Sequence, residues 1–221
     1  MTAGDAADWD DLFVGQLIPS VLALVLDAWD RIEKPAEDER EDTTSLRLYA
    51  AMIRGKDRQR HFFLIRLQDV EVDADLVKVS GRKDIVFFPP ANDEDIYFCL
   101  EAKRLNAIVS GVRRSLADEY VKEGMQRFVD RKYSRRICHG GMLGYVLDGD
   151  VDRAMGNVAN VIRLHHQVLG MDPPGDMRQS SVRPADRHAK ETHHQRHNDI
   201  GLFCLHHLFV AGLQRCIPRV T

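Results

Sequence analysis

The segment DIVFFPPANDEDIYFCLEAK, residues 84–103, decides the fold of this chain. It contains two runs of apolar and aromatic residues, 84–88 and 96–103, with the turn-forming sequence PPAND between them. Two such runs joined by a loop of about six residues predict an antiparallel β-hairpin. Because both runs are rich in aromatic residues, we expect the two strands to be central in a sheet rather than at its edge.

The two apolar runs of this hairpin contain three charged residues: Asp84, Glu101 and Lys103. Side chains at positions i and i+2 of a strand point to the same face, so Glu101 and Lys103 project together and Ala102 points to the opposite layer. Asp84 begins the neighbouring strand and can lie beside Glu101. Charges are costly in a central hairpin unless they serve a site. The alternative is that Glu101 and Lys103 form the solvated face of an edge strand.

Two carboxylates and an ammonium group at the same end of two paired strands suit the hydrolysis of a phosphodiester. Carboxylate oxygens suit Mg²⁺, which often binds through only one or two of them. The cation lowers the pKa of a bound water and neutralises charge on the phosphoryl oxygens, and a lysine beside it can orient that water. We therefore predict Asp84 and Glu101 as metal ligands, Mg²⁺ or Mn²⁺ as cofactor, and a chemical role for Lys103.

The pattern Asp84…Glu101-Ala102-Lys103 resembles the signature of the PD-(D/E)XK nuclease superfamily, although Lys83 stands where the signature has proline. The resemblance spans roughly residues 37–147 and includes the order of elements, a helix before the hairpin and a helix and strand after it. It implies a restriction-endonuclease-like α/β (α+β) fold with helices flanking a mixed central sheet. It also implies a Mg²⁺-dependent endonuclease that acts on nucleic acid, DNA rather than RNA, in a bacterial defence or restriction system.

The resemblance implies further catalytic residues outside the hairpin. The superfamily commonly supplies another acidic residue from the first core helix, where Glu41 and Glu39 rank above Asp42. Many of its members also carry a polar residue on the helix after the lysine. The residues in the matching region are Tyr120, Glu123 and Gln126.

Basic residues near the predicted site are candidates for nucleic-acid binding. They are Arg104, next to the lysine, and the run Arg127, Arg131, Lys132, Arg135 and Arg136. The chain has a net charge of −3, so a site for nucleic acid must be a local patch. Cations in such a patch hold phosphates and release counterions on binding. The run is equally consistent with a solubilising helix end, and the sequence leaves both interpretations open.

Composition and patterning predict one globular domain over residues 1–221, with 44% hydrophobic and 29% charged residues, and the resemblance implies that this domain is nuclease-like. Four helices are predicted: 12–33 at the amino terminus, a second that is capped by Thr43 or Thr44 and ends at Gly55, a third at 115–131 and a fourth at 150–169. Further strands are predicted at 61–67, 140–147 and 200–213. The segment 172–199 is rich in proline, arginine and histidine and is predicted to be a long polar loop.

The four cysteines and ten histidines show no metal-binding motif. No two cysteines have CxxC spacing, so all four are expected to be buried thiols in a reducing cytoplasm. His193 and His197 have the i, i+4 spacing of a zinc pair, but in a polar loop we expect them to face solvent. The glycine-rich segment 140–144 lacks the GK[ST] ending of a phosphate-binding loop.

The cellular location follows from the first residues of the chain. They are acidic and lack the positive region of a signal peptide. The apolar stretch 12–26 is shorter than the ~20 residues that a membrane span needs. We therefore expect a cytoplasmic protein with no membrane partner.

Three functions are compatible with these patterns. The first is the metal-dependent nuclease. The second is a catalytically inactive nuclease-like module that binds nucleic acid or a partner subunit, and the third is an interaction domain with no nucleic-acid role. The complete set of Asp84, Glu101 and Lys103 favours the enzyme. Because no helix-turn-helix or zinc finger is recognisable, a partner subunit or a second copy of the chain is expected to contribute to target choice.

Overall fold

The computed structural model describes residues 13–57, 60–73, 78–90, 96–133, 138–196 and 201–212. The helices in these ranges are α1 (Ile18–Arg31, after a π-helical turn at Phe13–Leu17), α2 (Glu41–Gly55), α3 (117–129) and α4 (Val151–His165). Helix α3 consists of Ala117–Glu119, the π-helical Tyr120–Met125 and Gln126–Val129 in direct succession. The strands are β1 (Leu64–Asp73), β2 (Lys78–Phe88), β3 (Phe98–Leu105), β4 (Ala107–Val109), β5 (Val112–Arg114), β6 (His139–Val146), β7 (Arg178–Gln179), β8 (Ala189–His194) and β9 (Phe203–Ala211).

Seven strands form one mixed sheet in the order β1-β2-β3-β6-β9-β8-β7, and β4 and β5 form a separate small hairpin. Strands β3, β6 and β9 run parallel, whereas the pairs on either side of them are antiparallel. Parallel neighbours need a crossover connection, which includes α3 between β3 and β6 and α4 between β6 and β9. The mixed sheet with flanking helices confirms the predicted α+β class.

The predicted hairpin is present as the antiparallel pair β2 and β3. Ile85 pairs with Leu100 and Phe87 with Phe98, so the aromatic runs do lie against each other. Strand β2 begins earlier than predicted, at Lys78, because its first half pairs with β1. With β1 on one side and β3 on the other, β2 is an internal strand of the sheet.

The sheet carries an apolar core on each face, as expected of a sheet covered by helices on both sides. Helices α1 and α2 cover what we call the first face, where Phe98, Leu100 and Ala102 of β3 are buried. Helices α3 and α4 cover the second face, where Cys99 and Leu105 of β3 are buried. Successive residues of β3 therefore alternate between the two cores.

The predicted cap of α2 is wrong. The helix begins at Glu41 and follows Arg40, so Thr43 and Thr44 lie inside its first turn. Thr44 is buried, and its hydroxyl donates to Glu39 Oε1 at 2.8 Å. Acidic side chains are favourable near the positive end of a helix dipole, which agrees with a start at Glu41 and Asp42.

The prediction of a polar loop over 172–199 is wrong for residues 178–179 and 189–194. This segment contributes β7 and β8, and β8 pairs antiparallel with β9 along its whole length. His194 in β8 is fully buried, its Nδ1 2.8 Å from Leu169 O and its Nε2 2.7 Å from Thr192 Oγ1. Satisfied hydrogen bonds therefore allow a polar sequence to occupy an internal strand position. His197 lies outside the described residues.

Cys99 and Cys204 are buried as predicted, whereas Cys138 is half-buried and Cys216 lies outside the described residues. None of the three described cysteines forms a disulfide. Among the described helices, none has both the length and the apolar character required to cross a membrane.

Candidate functional site

The pairing of β2 with β3 stops just before the charged residues of the hairpin. Ile85 and Leu100 form the last pair, and at the next position Asp84 Oδ2 accepts a hydrogen bond from the backbone N–H of Ala102 at 2.8 Å. The Asp84 carboxylate is thus anchored to the backbone of β3, close enough for its charge to act on Glu101.

Glu101 and Lys103 lie together on the second face of β3, while Ala102 is buried in the opposite core. Lys103 Nζ is 2.7 Å from Glu101 Oε1 and also donates to Ala102 O at 2.9 Å. The Glu101 side chain has no solvent exposure and that of Lys103 has 12%. This pair is therefore internal and does not form the solvated face of an edge strand.

A third carboxylate comes from the first residue of α2. Glu41 Oε2 accepts the backbone N–H of Arg104 at 3.1 Å, and its Oε1 lies 3.5 Å from Lys103 Nζ. The start of α2 is thereby fixed against the end of β3. We call Asp84, Glu101 and Glu41 the carboxylate cluster.

Arg127 of α3 also belongs to the site, although the sequence analysis assigned this residue only to a basic run. Its Nη1 lies 2.6 Å from Glu101 Oε1 and 3.1 Å from the hydroxyl of Tyr133, which itself donates to Arg82 O at 2.6 Å. Gly124, one turn earlier, packs against the terminal methyl of the Met142 side chain, which would have to shift to admit a Cβ at this position. The arginine and the lysine both hold the same oxygen of Glu101.

The other acidic and polar candidates lie outside the carboxylate cluster. Glu39 is occupied by Thr44 and by Arg47, whose Nη2 lies 2.9 Å from its Oε2. Gln126 is half-buried in α3 directly before Arg127, and none of the described hydrogen bonds joins it to the cluster. Glu39 thus stabilises the start of α2.

The basic candidates are spread over a wider surface. The guanidinium of Arg104 donates to Glu39 O at 3.0 Å, which ties it to the segment before α2. Just after α3, Arg131 is half-buried and Lys132 is exposed, with its Nζ 4.0 Å from Asp130. Arg135 and Arg136 lie outside the described residues.

All three carboxyl groups of the cluster have raised pKa values. Burial, then the charge of Asp84, raises the pKa of Glu101 to about 7, against the opposing effects of Lys103 and Arg127. Burial is also the main cause that raises the pKa of Asp84 and that of Glu41. Desolvation and mutual repulsion therefore outweigh the two cations, which is typical of functional sites.

Lys103 remains an ammonium group despite its burial. Burial by itself lowers the pKa of Lys103, but the charges of the three carboxylates outweigh this effect and the net shift is upward. Three carboxylates facing one lysine and one arginine leave a formal charge of −1 when all are ionised. The site therefore favours an additional cation.

One atom of the site has no hydrogen-bond partner among the described residues. Glu101 Oε2 is buried and unsatisfied, whereas Oε1 is held by both Lys103 and Arg127. A buried polar atom without a partner is costly and requires an explanation such as a bound ion. Carboxylate oxygens from Asp84 and Glu101 are hard ligands, so the donor set fits Mg²⁺ or Mn²⁺.

Comparison of this chain with protein-family models, with curated proteins and with solved structures finds no match.

Proposed function

We propose that this chain is a Mg²⁺- or Mn²⁺-dependent nuclease of the PD-(D/E)XK type. The observation that carries the proposal is the unsatisfied, buried Oε2 of Glu101 beside Asp84, with the Lys103 ammonium 2.7 Å from the other oxygen of Glu101. The order of elements supports it, since α2 precedes the β2–β3 hairpin and α3 and β6 follow it, with the small hairpin β4–β5 in between. Glu41, the first residue of α2, is proposed as the additional acidic residue because its Oε1 lies 3.5 Å from Lys103 Nζ.

Each residue of the site has a distinct role in this proposal. Asp84 and Glu101 would hold the cation, with Glu41 beside them as a third carboxylate. The cation would supply Lewis-acid stabilisation of the phosphoryl charge and a lower pKa for a coordinated water. Arg127 holds Glu101 Oε1 in place and leaves Oε2 for the ligand. Arg127 is thus a positioning residue.

Lys103 supplies a permanent positive charge next to the carboxylates. Since its pKa is raised, it keeps its proton at neutral pH and serves as a hydrogen-bond donor rather than as a base. An ammonium group held in advance of the reaction can stabilise charge that develops on the attacked phosphate or orient the water. Its bond to Glu101 fixes its position before substrate arrives.

The substrate proposed is nucleic acid, DNA in preference to RNA, in a bacterial defence or restriction setting in the cytoplasm. Arg131 and Lys132 are the described cations that would hold its backbone phosphates. A protein partner or a second copy of the chain is proposed to supply target choice.

A cleavage assay tests this function directly. Plasmid, linear duplex, single-stranded DNA and RNA would each be incubated with the protein in Mg²⁺ or Mn²⁺, with EDTA as the control. We expect metal-dependent cleavage that is lost in Asp84→Ala and retained in Glu33→Ala, because Glu33 is an exposed carboxylate. Binding of nucleic acid without cleavage of any substrate would instead identify the inactive module. If the protein neither binds nor cleaves nucleic acid, the result would favour the interaction domain with no nucleic-acid role.

A further inference from the structure

A second group of ligand-type side chains lies on the first face of the sheet, away from the carboxylate cluster. His139, Cys204 and His206 each place one ligand atom within 4.8 Å of those of the other two. Cys204 and His206 alternate along β9 with Phe203 and Leu205, which are buried in the core of the second face. The three side chains therefore share a face that is opposite to that of Glu101 and Lys103.

Strand register places this group together. His139 on β6 and His193 on β8 are both Cα partners of Cys204 on β9, so the three residues form a row across three adjacent strands. His206 is two residues further along β9 and points to the same face. The row joins parts of the chain that are far apart in sequence.

The geometry of the two imidazoles suits one metal ion. His139 Nδ1 lies 3.3 Å from His206 Nε2. Two nitrogen ligands at ~2.0–2.1 Å from a tetrahedral zinc ion are roughly 3.3–3.4 Å apart, so this separation needs little adjustment. The structure also leaves His206 Nδ1 buried with no hydrogen-bond partner among the described residues.

Strand β8 contributes a second group of ligand-type side chains, which shares Cys204 with the first. Glu191, His193 and Cys204 also place one ligand atom each within 4.8 Å of one another. Glu191 Oε2 accepts from the backbone N–H and the hydroxyl of Ser181, both at 2.7 Å, and its Oε1 lies 3.4 Å from His193 Nε2.

We propose that His139, Cys204 and His206 bind a divalent transition-metal ion of the Zn²⁺ class. A thiolate with two imidazoles favours Zn²⁺ or Co²⁺ over Mg²⁺, so this site and the carboxylate cluster take different metals. The ion would link β6 to β9 on the first face of the sheet.

The site is accessible to a metal ion from solvent. His139 and His193 are half-buried, whereas Cys204 is 9% exposed and His206 is 2% exposed.

Titration with Co²⁺ tests the site without using any enzymatic activity. The purified full chain, freed of metal with a chelator, would be titrated with Co²⁺, and the thiolate-to-cobalt charge-transfer band and the visible bands of tetrahedral Co²⁺ would be recorded. We expect one equivalent with both features in the wild type, in Glu101→Ala and in the control His165→Gln, whose histidine lies at the end of α4. Zn²⁺ should displace the Co²⁺ and raise the thermal midpoint.

Two variants separate ligation from folding. Cys204→Ser should lose the charge-transfer band, and the half-buried His139→Gln should lower Co²⁺ affinity at least tenfold while circular dichroism stays unchanged. If Cys204→Ser does not fold, His139→Gln decides by itself. Absence of a thiolate band in the wild type, or equal Co²⁺ affinity in the wild type and in folded His139→Gln, would overturn the proposal. Because Glu101→Ala keeps this site, failure of the nuclease proposal does not affect the result.

Discussion

Replacing Glu101 with glutamine removes one negative charge from the centre of the carboxylate cluster and keeps the shape of the side chain. The pKa of Glu101 is about 7 in the folded chain, against 4.5 for an unperturbed glutamic acid. Below about pH 4.5 the group is protonated in both states and costs nothing. As the pH rises to 7 the unfolded chain ionises first, so the folded state loses stability, and above pH 7 the loss is complete.

The size of this loss follows from the shift. A change from 4.5 to about 7 corresponds to roughly 3 kcal/mol. Glutamine does not ionise, so Glu101→Gln escapes this cost. The substitution also weakens the hydrogen bonds to Lys103 and Arg127. Because both cations keep their charge between pH 4.5 and pH 8, this penalty lowers the free energy of unfolding by the same amount at every pH. The free energy of unfolding of the variant relative to the wild type should therefore rise by roughly 3 kcal/mol between pH 4.5 and pH 8.

Urea unfolding measures this difference. The wild type, Glu101→Gln and the exposed-site control Glu33→Gln would be unfolded at several pH values in EDTA, and comparable m-values would show that the unfolded states are similar. The control should show no such change with pH. A wild-type-to-variant difference that is flat with pH, or that moves in favour of the wild type at high pH, would refute the reasoning. Mg²⁺ at 100 times its Kd should then raise the free energy of unfolding of the wild type by about 2.7 kcal/mol, and it should not raise that of Glu101→Gln.

Three further predictions concern metal, catalysis and substrate. Because protons compete for Glu101, Mg²⁺ affinity measured by calorimetry should fall as pH decreases below 7, by up to about tenfold per unit, and a flat profile would remove Glu101 from the metal site. Lys103→Ala should reduce the cleavage rate roughly 10²-fold or more at saturating Mg²⁺. The control Lys122→Ala, on the exposed side of α3, should cleave at the wild-type rate. If folded Lys103→Ala also cleaves at the wild-type rate, Lys103 has no role in the chemical step. Replacing Arg131 and Lys132 with alanine should weaken DNA binding for all sequences alike and flatten its salt dependence, and an unchanged slope would make them a solubilising helix end.

The hairpin was predictable because its information is local. Aromatic runs on either side of a turn determine β2 and β3, and the two-residue period determines that Glu101 and Lys103 share a face. Glu41 could be proposed because an acidic residue near the start of the first core helix fits the resemblance. The contact of Glu41 with Lys103 depends on how α2 packs on the sheet. The sequence alone therefore could not separate Glu41 from Glu39 as the additional acidic residue.

The parts that the sequence missed depend on long-range packing. Arg127 was assigned to a basic run, and only the position of α3 against the sheet brings it to Glu101. Strand β8 reads as a loop because its buried residues are polar, and tertiary partners such as His207, 2.8 Å from Thr192 Oγ1, satisfy them.

The same fold contains a buried carboxylate whose two oxygens are both bonded, and the contrast with it supports a functional role for Glu101. Asp148 is 3% exposed, and both of its oxygens are bonded: Oδ1 accepts from Asn106 and from the backbone of Asp150, each at 3.0 Å, and Oδ2 is paired with two arginines. Burial raises its pKa, but these bonds and charges more than compensate, and the net shift is downward. Glu101 has two cations on one oxygen, none of the described groups bonded to the other, and a raised pKa. A carboxylate selected for stability alone would be expected to resemble Asp148, so the unfavourable arrangement at Glu101 is better explained by a ligand that completes it.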